Sequence, residues 1–173
     1  AVGWFEPSMC PPFELKDIDG NTITNDTFGN DSKIIIFFEP DSADSQEVIE
    51  LLSHCDLTDR YDVSIIAVDI TSYSKGAVRR FRDTYAAGGE DITFCVDTDN
   101  LYDGICGATG CPAHERGTVP VIFVFDSNDY YWAGFRKITD TQALESVLKG
   151  IADDGGEWKG AGADSLDRYE HFL

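Results

Sequence analysis

Two kinds of hydrophobic pattern alternate along this chain. Short continuous runs of β-branched and aromatic residues have the length of buried strands, and they occupy positions 33–38, 63–70 and 121–125. Elsewhere apolar residues recur every three or four positions, which predicts helices over 42–55, 75–85 and 141–152. Strands that alternate with helices of this length indicate parallel βαβ crossovers and a central sheet.

Hairpin signals occur at both ends of this pattern. Residues 13–18 alternate apolar and polar, and Asp19-Gly20 separates them from a second short alternating segment, 21–24. Residues 126–129 turn the strand 121–125 back into 130–134, so the predicted sheet is mixed. A shorter strand is predicted at 92–97, followed by a helical turn at 100–105.

The length of 173 residues suits one domain with a substantial core. We predict an N-terminal lead over 1–11, a domain over 12–153 and a C-terminal tail over 154–173. The composition of the tail shifts to Gly, Ala and Asp, and scattered aromatic residues give it no core of its own.

The charge of the chain excludes some partners. Its 32 acidic and 13 basic residues give a net charge of −19, which argues against binding to nucleic acid or to an anionic membrane surface. No run approaches the roughly 20 apolar residues that span a bilayer, so we predict no membrane span.

The five cysteines, Cys10, Cys55, Cys95, Cys106 and Cys111, form neither an even disulfide framework nor a metal array. Cys55 and Cys95 fall within apolar patterns, which predicts buried, inert thiols. Cys106 and Cys111 flank a Gly-rich stretch that could close a small disulfide ring, or they could remain two free thiols. A zinc site with His114 lacks a fourth ligand, and we predict no metal site.

The segment Ser42-Ala43-Asp44-Ser45 begins a predicted helix directly after a buried strand. Serine and aspartate are favoured at helix N-termini, so the local interpretation of this segment is a helix cap.

The order of three segments adds a second interpretation. Residues 13–21 resemble the opening hairpin of the extracytoplasmic TlpA/ResA-like thiol-disulfide oxidoreductases. Residues 37–45 occupy the position of that family's Cys-x-x-Cys motif, and residues 117–126 resemble the segment with its cis-proline. From Pro12 to about Ala152, the chain is similar to this family. The resemblance implies a thioredoxin-like α/β three-layer sandwich, with a central mixed sheet, flanking helices and an N-terminal β-hairpin, and no cofactor.

The resemblance also implies a set of site residues. Ser42 and Ser45 stand at the redox cysteine positions, Pro120 matches the cis-proline, and the substrate-binding residues would be Thr118, Val119 and Asp41. Cys106 and Cys111 could alternatively be a relocated redox pair near the proline.

Serine cannot replace a redox cysteine, because its hydroxyl ionises far too weakly and oxygen forms no stable disulfide-like bond. We therefore expect a member of a thiol-disulfide oxidoreductase family that is inactive at the 42/45 position, either engineered or through natural loss. The alternative is a non-catalytic thioredoxin-fold module that binds proteins.

The partners and compartment follow from the same resemblance. It implies a protein disulfide or dithiol substrate, or a redox partner protein. The family likeness and the start at Ala1 without a methionine favour an extracytoplasmic location, periplasmic or secreted.

Overall fold

The structure is a computed structural model that describes residues 8–71, 74–109 and 119–153. Its strands, in chain order, are β1 (Glu14–Lys16), β2 (Thr22–Thr24), β3 (Ser32–Phe38), β4 (Val63–Asp69), β5 (Ile92–Val96), β6 (Val121–Phe125) and β7 (Tyr131–Phe135). Its helices are α1 (Ala43–Ser53), α2 (Leu57–Arg60), α3 (Lys75–Tyr85), α4 (Leu101–Thr109) and α5 (Gln142–Asp153). None of the described helices is long and apolar enough to cross a membrane.

Five strands form one mixed sheet in the order β5-β4-β3-β6-β7. Strands β3, β4 and β5 run parallel, whereas β6 pairs antiparallel with both β3 and β7. A separate two-stranded sheet is formed by β1 and β2, which confirms the N-terminal hairpin. The crossovers through α1 and α3 explain why the apolar runs of β3 and β4 do not alternate with polar residues: each strand is covered on both faces.

Two hydrophobic clusters cover the two faces of the sheet. One cluster joins side chains of β3 and β4 to the apolar sides of α1, α3 and α5, including Val48, Phe81 and Leu148. The other joins the opposite face of the same strands to α4 and the hairpin, including Leu15 and Ile105. This is the predicted three-layer α/β sandwich.

The structure corrects several local expectations. Helix α1 ends at Ser53, and the short helix α2, which the sequence pattern did not predict, follows after a turn. As a result Cys55 lies between the two helices and is half-buried, so the prediction of a buried thiol is wrong for this residue. The helical turn predicted at 100–105 is a longer helix, α4.

A buried ion pair links the start of β3 to the turn before β7. The Lys33 side chain is only 1% exposed, and its Nζ lies 2.7 Å from Oδ1 of Asp129. The amide of Asn25 donates to the other Asp129 oxygen at 3.2 Å, and the backbone N–H of Cys10 donates to the Asp129 carbonyl at 2.8 Å. The pair therefore ties together the residues before β1, the end of the hairpin and the central sheet.

Removing one charge of this pair should destabilise the fold, because the other charge would remain buried without compensation. We expect Asp129→Asn to lower the free energy of unfolding by about 3 kcal/mol in urea denaturation. Asparagine tolerates the positive φ of 67° at this position, so backbone strain should not contribute. The double variant Lys33→Met/Asp129→Asn is the control: a loss as large as that of Asp129→Asn alone would contradict the explanation.

Candidate functional site

Ser42 caps the helix that follows the central strand. Its backbone is extended, with φ −83° and ψ 120°, and its Oγ accepts a hydrogen bond from the N–H of Ser45 at 3.2 Å. The chain reaches it from β3 through Glu39, Pro40 and Asp41, and the N–H of Ser42 donates to the Glu39 carbonyl at 3.0 Å. The side chain is partly exposed, at a helix end where unpaired N–H groups and the helix dipole favour negative charge.

Ser45 lies one turn further into the helix and is fully buried. Its Oγ accepts a hydrogen bond from the backbone N–H of Glu39 at 3.2 Å. The two serines therefore differ in access. Ser42 can be reached from solvent, whereas Ser45 is buried and fixes the loop before the helix through its hydrogen bond with Glu39.

Pro120 lies at the end of the sheet where β3 leads into Ser42. The peptide bond between Val119 and Pro120 is cis, and Pro120 directly precedes β6. Because Phe37 pairs with Val121, the antiparallel register sets Pro120 beside Phe38, from which the loop to Ser42 departs. Val119 is half-buried and Pro120 is buried. Thr118, the other predicted backbone contact, lies outside the described residues.

Comparison with known proteins gives a structural result only. No family model matches the sequence, and no curated protein matches it. A thiol:disulfide interchange protein of the thioredoxin family from Chlorobium tepidum TLS superposes with a TM-score of 0.68 at 14% identity, over 86% of this chain and 98% of the other. The fold is thioredoxin-like.

Two further structures of this fold extend the comparison. A thioredoxin-like protein from Aeropyrum pernix has 21% identity and a TM-score of 0.61, over 81% of this chain and 89% of its own. BsSco, a member of the Sco family of cytochrome c oxidase assembly proteins, has 9% identity and a TM-score of 0.64, over 85% and 93%. The thioredoxin-like fold that the sequence resemblance implied is confirmed.

Carboxylates surround the start of α1 in this thioredoxin-like domain. Asp41 and Asp44 are exposed on either side of Ser42. Lys137 lies 3.0 Å from an Asp44 oxygen and 2.9 Å from a Glu47 oxygen, and the hydrogen bonds that it donates, first to Glu47 and then to Asp44, raise the pKa of Lys137. Lys137 thus partly offsets the charge of Asp44.

Buried carboxylates at the neighbouring strand ends serve the backbone. Asp69, which the sequence analysis did not single out, is fully buried at the end of β4 and accepts from Thr71 N–H at 2.9 Å. Asp97 follows β5 and accepts from the N–H groups of Leu101 and Tyr102 at 2.8 and 3.0 Å, so it caps α4. The sequence indicates both carboxylates, because Asp69 and Asp97 each stand directly at the end of a buried apolar run.

The cysteines of the described part differ in environment. Burial raises the pKa of the Cys10 thiol to about 12, and burial likewise raises that of Cys95 to about 12. Cys95 is therefore the buried thiol that the sequence predicts. Cys106 is buried in α4, but Cys111 and His114 lie outside the described residues, so the disulfide, zinc and relocated-pair interpretations stay predictions. Within the described ranges, no group of three or more His, Cys, Asp or Glu residues could hold a metal ion.

The cap at Ser42 gives a stability prediction. Ser42→Ala should lower the free energy of unfolding by about 1 kcal/mol, because the N–H of Ser45 loses its acceptor. Ser42→Asn, which supplies another side-chain oxygen, should change the free energy of unfolding by only about 0.3 kcal/mol. Urea denaturation of the three proteins measures both values, and equal losses in the two variants would rule out the capping role.

The cysteine environments predict an order of alkylation. With iodoacetamide at pH 8, Cys55 should react at least about tenfold faster than Cys10 and Cys95, because Cys55 is half-buried whereas the other two thiols are buried. Both slow thiols have pKa values raised above the ordinary 9.0, so thiolate formation should not help them until the pH approaches 12. Mass spectrometry of digested protein gives the rate at each site. In urea the three rates should converge, and rapid native labelling of Cys95 would contradict the structure.

Proposed function

We propose that this chain is a thioredoxin-fold protein of the thiol-disulfide oxidoreductase type whose redox cysteines are replaced by Ser42 and Ser45. The observation that carries the proposal is the difference between the two serines: one is half-exposed at the helix N-terminus, and the other is buried one turn later. A redox pair needs this arrangement, with an accessible attacking thiol and a protected resolving thiol.

Pro120 completes the proposed site. Its cis peptide bond and its position beside the end of β3 support a role for Val119, Pro120 and the adjacent Thr118 in holding an extended substrate chain. Asp41 would contact the same chain from the opposite loop. The proposed partner is a protein disulfide or dithiol, and the proposed location is extracytoplasmic.

With cysteines at both positions, the proposed chemistry is a two-step exchange. The thiolate at position 42 attacks a substrate disulfide, forms a mixed disulfide and releases one substrate thiolate. The thiolate at position 45 then attacks the sulfur at 42, which releases the second substrate thiolate and leaves a 42–45 disulfide. Two electrons pass to the substrate, and an external dithiol must return them.

A second candidate function has its own support. The hydroxyls of Ser42 and Ser45 each accept a backbone hydrogen bond, so the helix start is complete without sulfur. This favours a non-catalytic module that binds a protein chain at the Pro120 loop. With serines at both positions, the chain would then bind a partner and carry out no thiol-disulfide exchange.

The double variant Ser42→Cys/Ser45→Cys separates these functions. We expect it to reduce insulin with dithiothreitol at least about tenfold faster than the parent, because the accessible thiol forms a thiolate and the buried thiol resolves the mixed disulfide. Ser42→Cys alone is the matched control: it should form a mixed disulfide but release it slowly. An inactive but folded double variant would overturn the oxidoreductase proposal and favour the binding module.

The same variant tests how the Asp41 carboxylate affects a thiol at position 42. A neighbouring carboxylate raises the pKa of a thiol. Adding Asp41→Asn to the double variant should therefore accelerate alkylation of the introduced thiol at position 42 about two- to fivefold at pH 7. Glu90→Gln, which removes an exposed carboxylate of the loop before β5, should leave the rate unchanged.

A further inference from the structure

Helix α3 carries a concentration of positive charge on a strongly acidic chain. Lys75, Arg79 and Arg80 are exposed, and Arg82 is partly exposed on the same helix. Val78 and Phe81 face the core on its other side. The net charge of −19 makes this cluster an exception to the composition of the whole molecule.

Ion pairs among the described residues account for only one of these four cations. Among the described residues, none forms an ion pair with Lys75, Arg79 or Arg80, whereas Arg82 contacts only the adjacent Asp83 at 3.2 Å. The first turn of α3 contains no acidic residue, and Lys75 there opposes the helix dipole. Lys75 and Arg79 are also four residues apart, a spacing at which like charges destabilise a helix.

One of the four contacts another element of the fold. Arg79 donates from Nη2 to the carbonyl of Ile18 at 2.7 Å and so connects α3 to the hairpin. The side chains of Lys75 and Arg80 have no such bond among the described residues, and their charge remains available to a partner.

The size and surroundings of this surface restrict what it can bind. From Lys75 to Arg82 the helix rises only about 10 Å. Asp83 is exposed within the helix itself, one turn after Arg79 and Arg80, and Glu90 and Asp91 are exposed beyond its C-terminal end. A nucleic-acid duplex or a bilayer would extend past the cations onto these carboxylates and be repelled. A short acidic protein segment, with three or four carboxylates, matches both the length and the charge.

We propose that the outer face of α3, on which Lys75, Arg79 and Arg80 are exposed, is a docking surface for an acidic segment of a partner protein. The proposed docking does not depend on exchange chemistry at the Ser42–Pro120 site. Binding by charge pairs at an exposed face is weak and is screened by salt.

A fluorescein-labelled hexaglutamate peptide tests the proposal on the full chain. We expect saturable binding, with a Kd below about 1 mM at low salt, and at least about tenfold weaker binding when the salt reaches about 0.3 M. In two-dimensional ¹⁵N NMR, the shifts should move at residues 75–82. Absence of binding at low salt, or shifts confined to other surfaces, would overturn the proposal.

Two single charge reversals provide matched variants. Arg80→Glu should weaken binding of the peptide about five- to tenfold, and Lys149→Glu, with the same charge change on exposed α5, should weaken it less than about twofold. Arg80→Lys should retain binding. Equal losses in the two reversals would show that only net charge matters and would overturn the proposal. Tighter binding of oligo-dT or phosphatidylserine vesicles than of hexaglutamate would overturn the assignment to an acidic protein segment.

Discussion

Strand β3 is buried on both faces and paired on both edges, and most of the architecture follows from this constraint. Its apolar residues must be covered by one layer containing α1, α3 and α5 and by another containing α4 and the hairpin. Lys33, the second residue of the strand, carries a buried charge that needs Asp129. Placing that carboxylate fixes the turn before β7 and gives Asn25 and Cys10 their partners.

The other end of β3 positions the candidate site. Because the strand is held by β4 and β6, the loop after Phe38 and the proline before Val121 must emerge side by side. The helix that begins there supplies unpaired N–H groups, and in this chain the Ser42 hydroxyl satisfies one of them. A helix N-terminus of this kind favours negative charge as well as a side-chain cap, and the cap is what Ser42 supplies here.

Charge is distributed unevenly over this scaffold. Carboxylates flank Ser42, whereas three exposed cations, Lys75, Arg79 and Arg80, lie on α3. Asp69 and Asp97, both buried, accept hydrogen bonds from backbone N–H groups and thus contribute to the fold.

The sequence alone determined the layers, the two hairpins and the serine positions, because hydrophobic periodicity and turn residues act over short distances. It could not predict the break after Ser53 that leaves Cys55 half-buried, nor the partner of Lys33, which lies far along the chain. Only the tertiary structure brought Pro120 beside the end of β3 and distinguished accessible Ser42 from buried Ser45. Such pairings depend on register and packing between distant segments, and no local pattern encodes them.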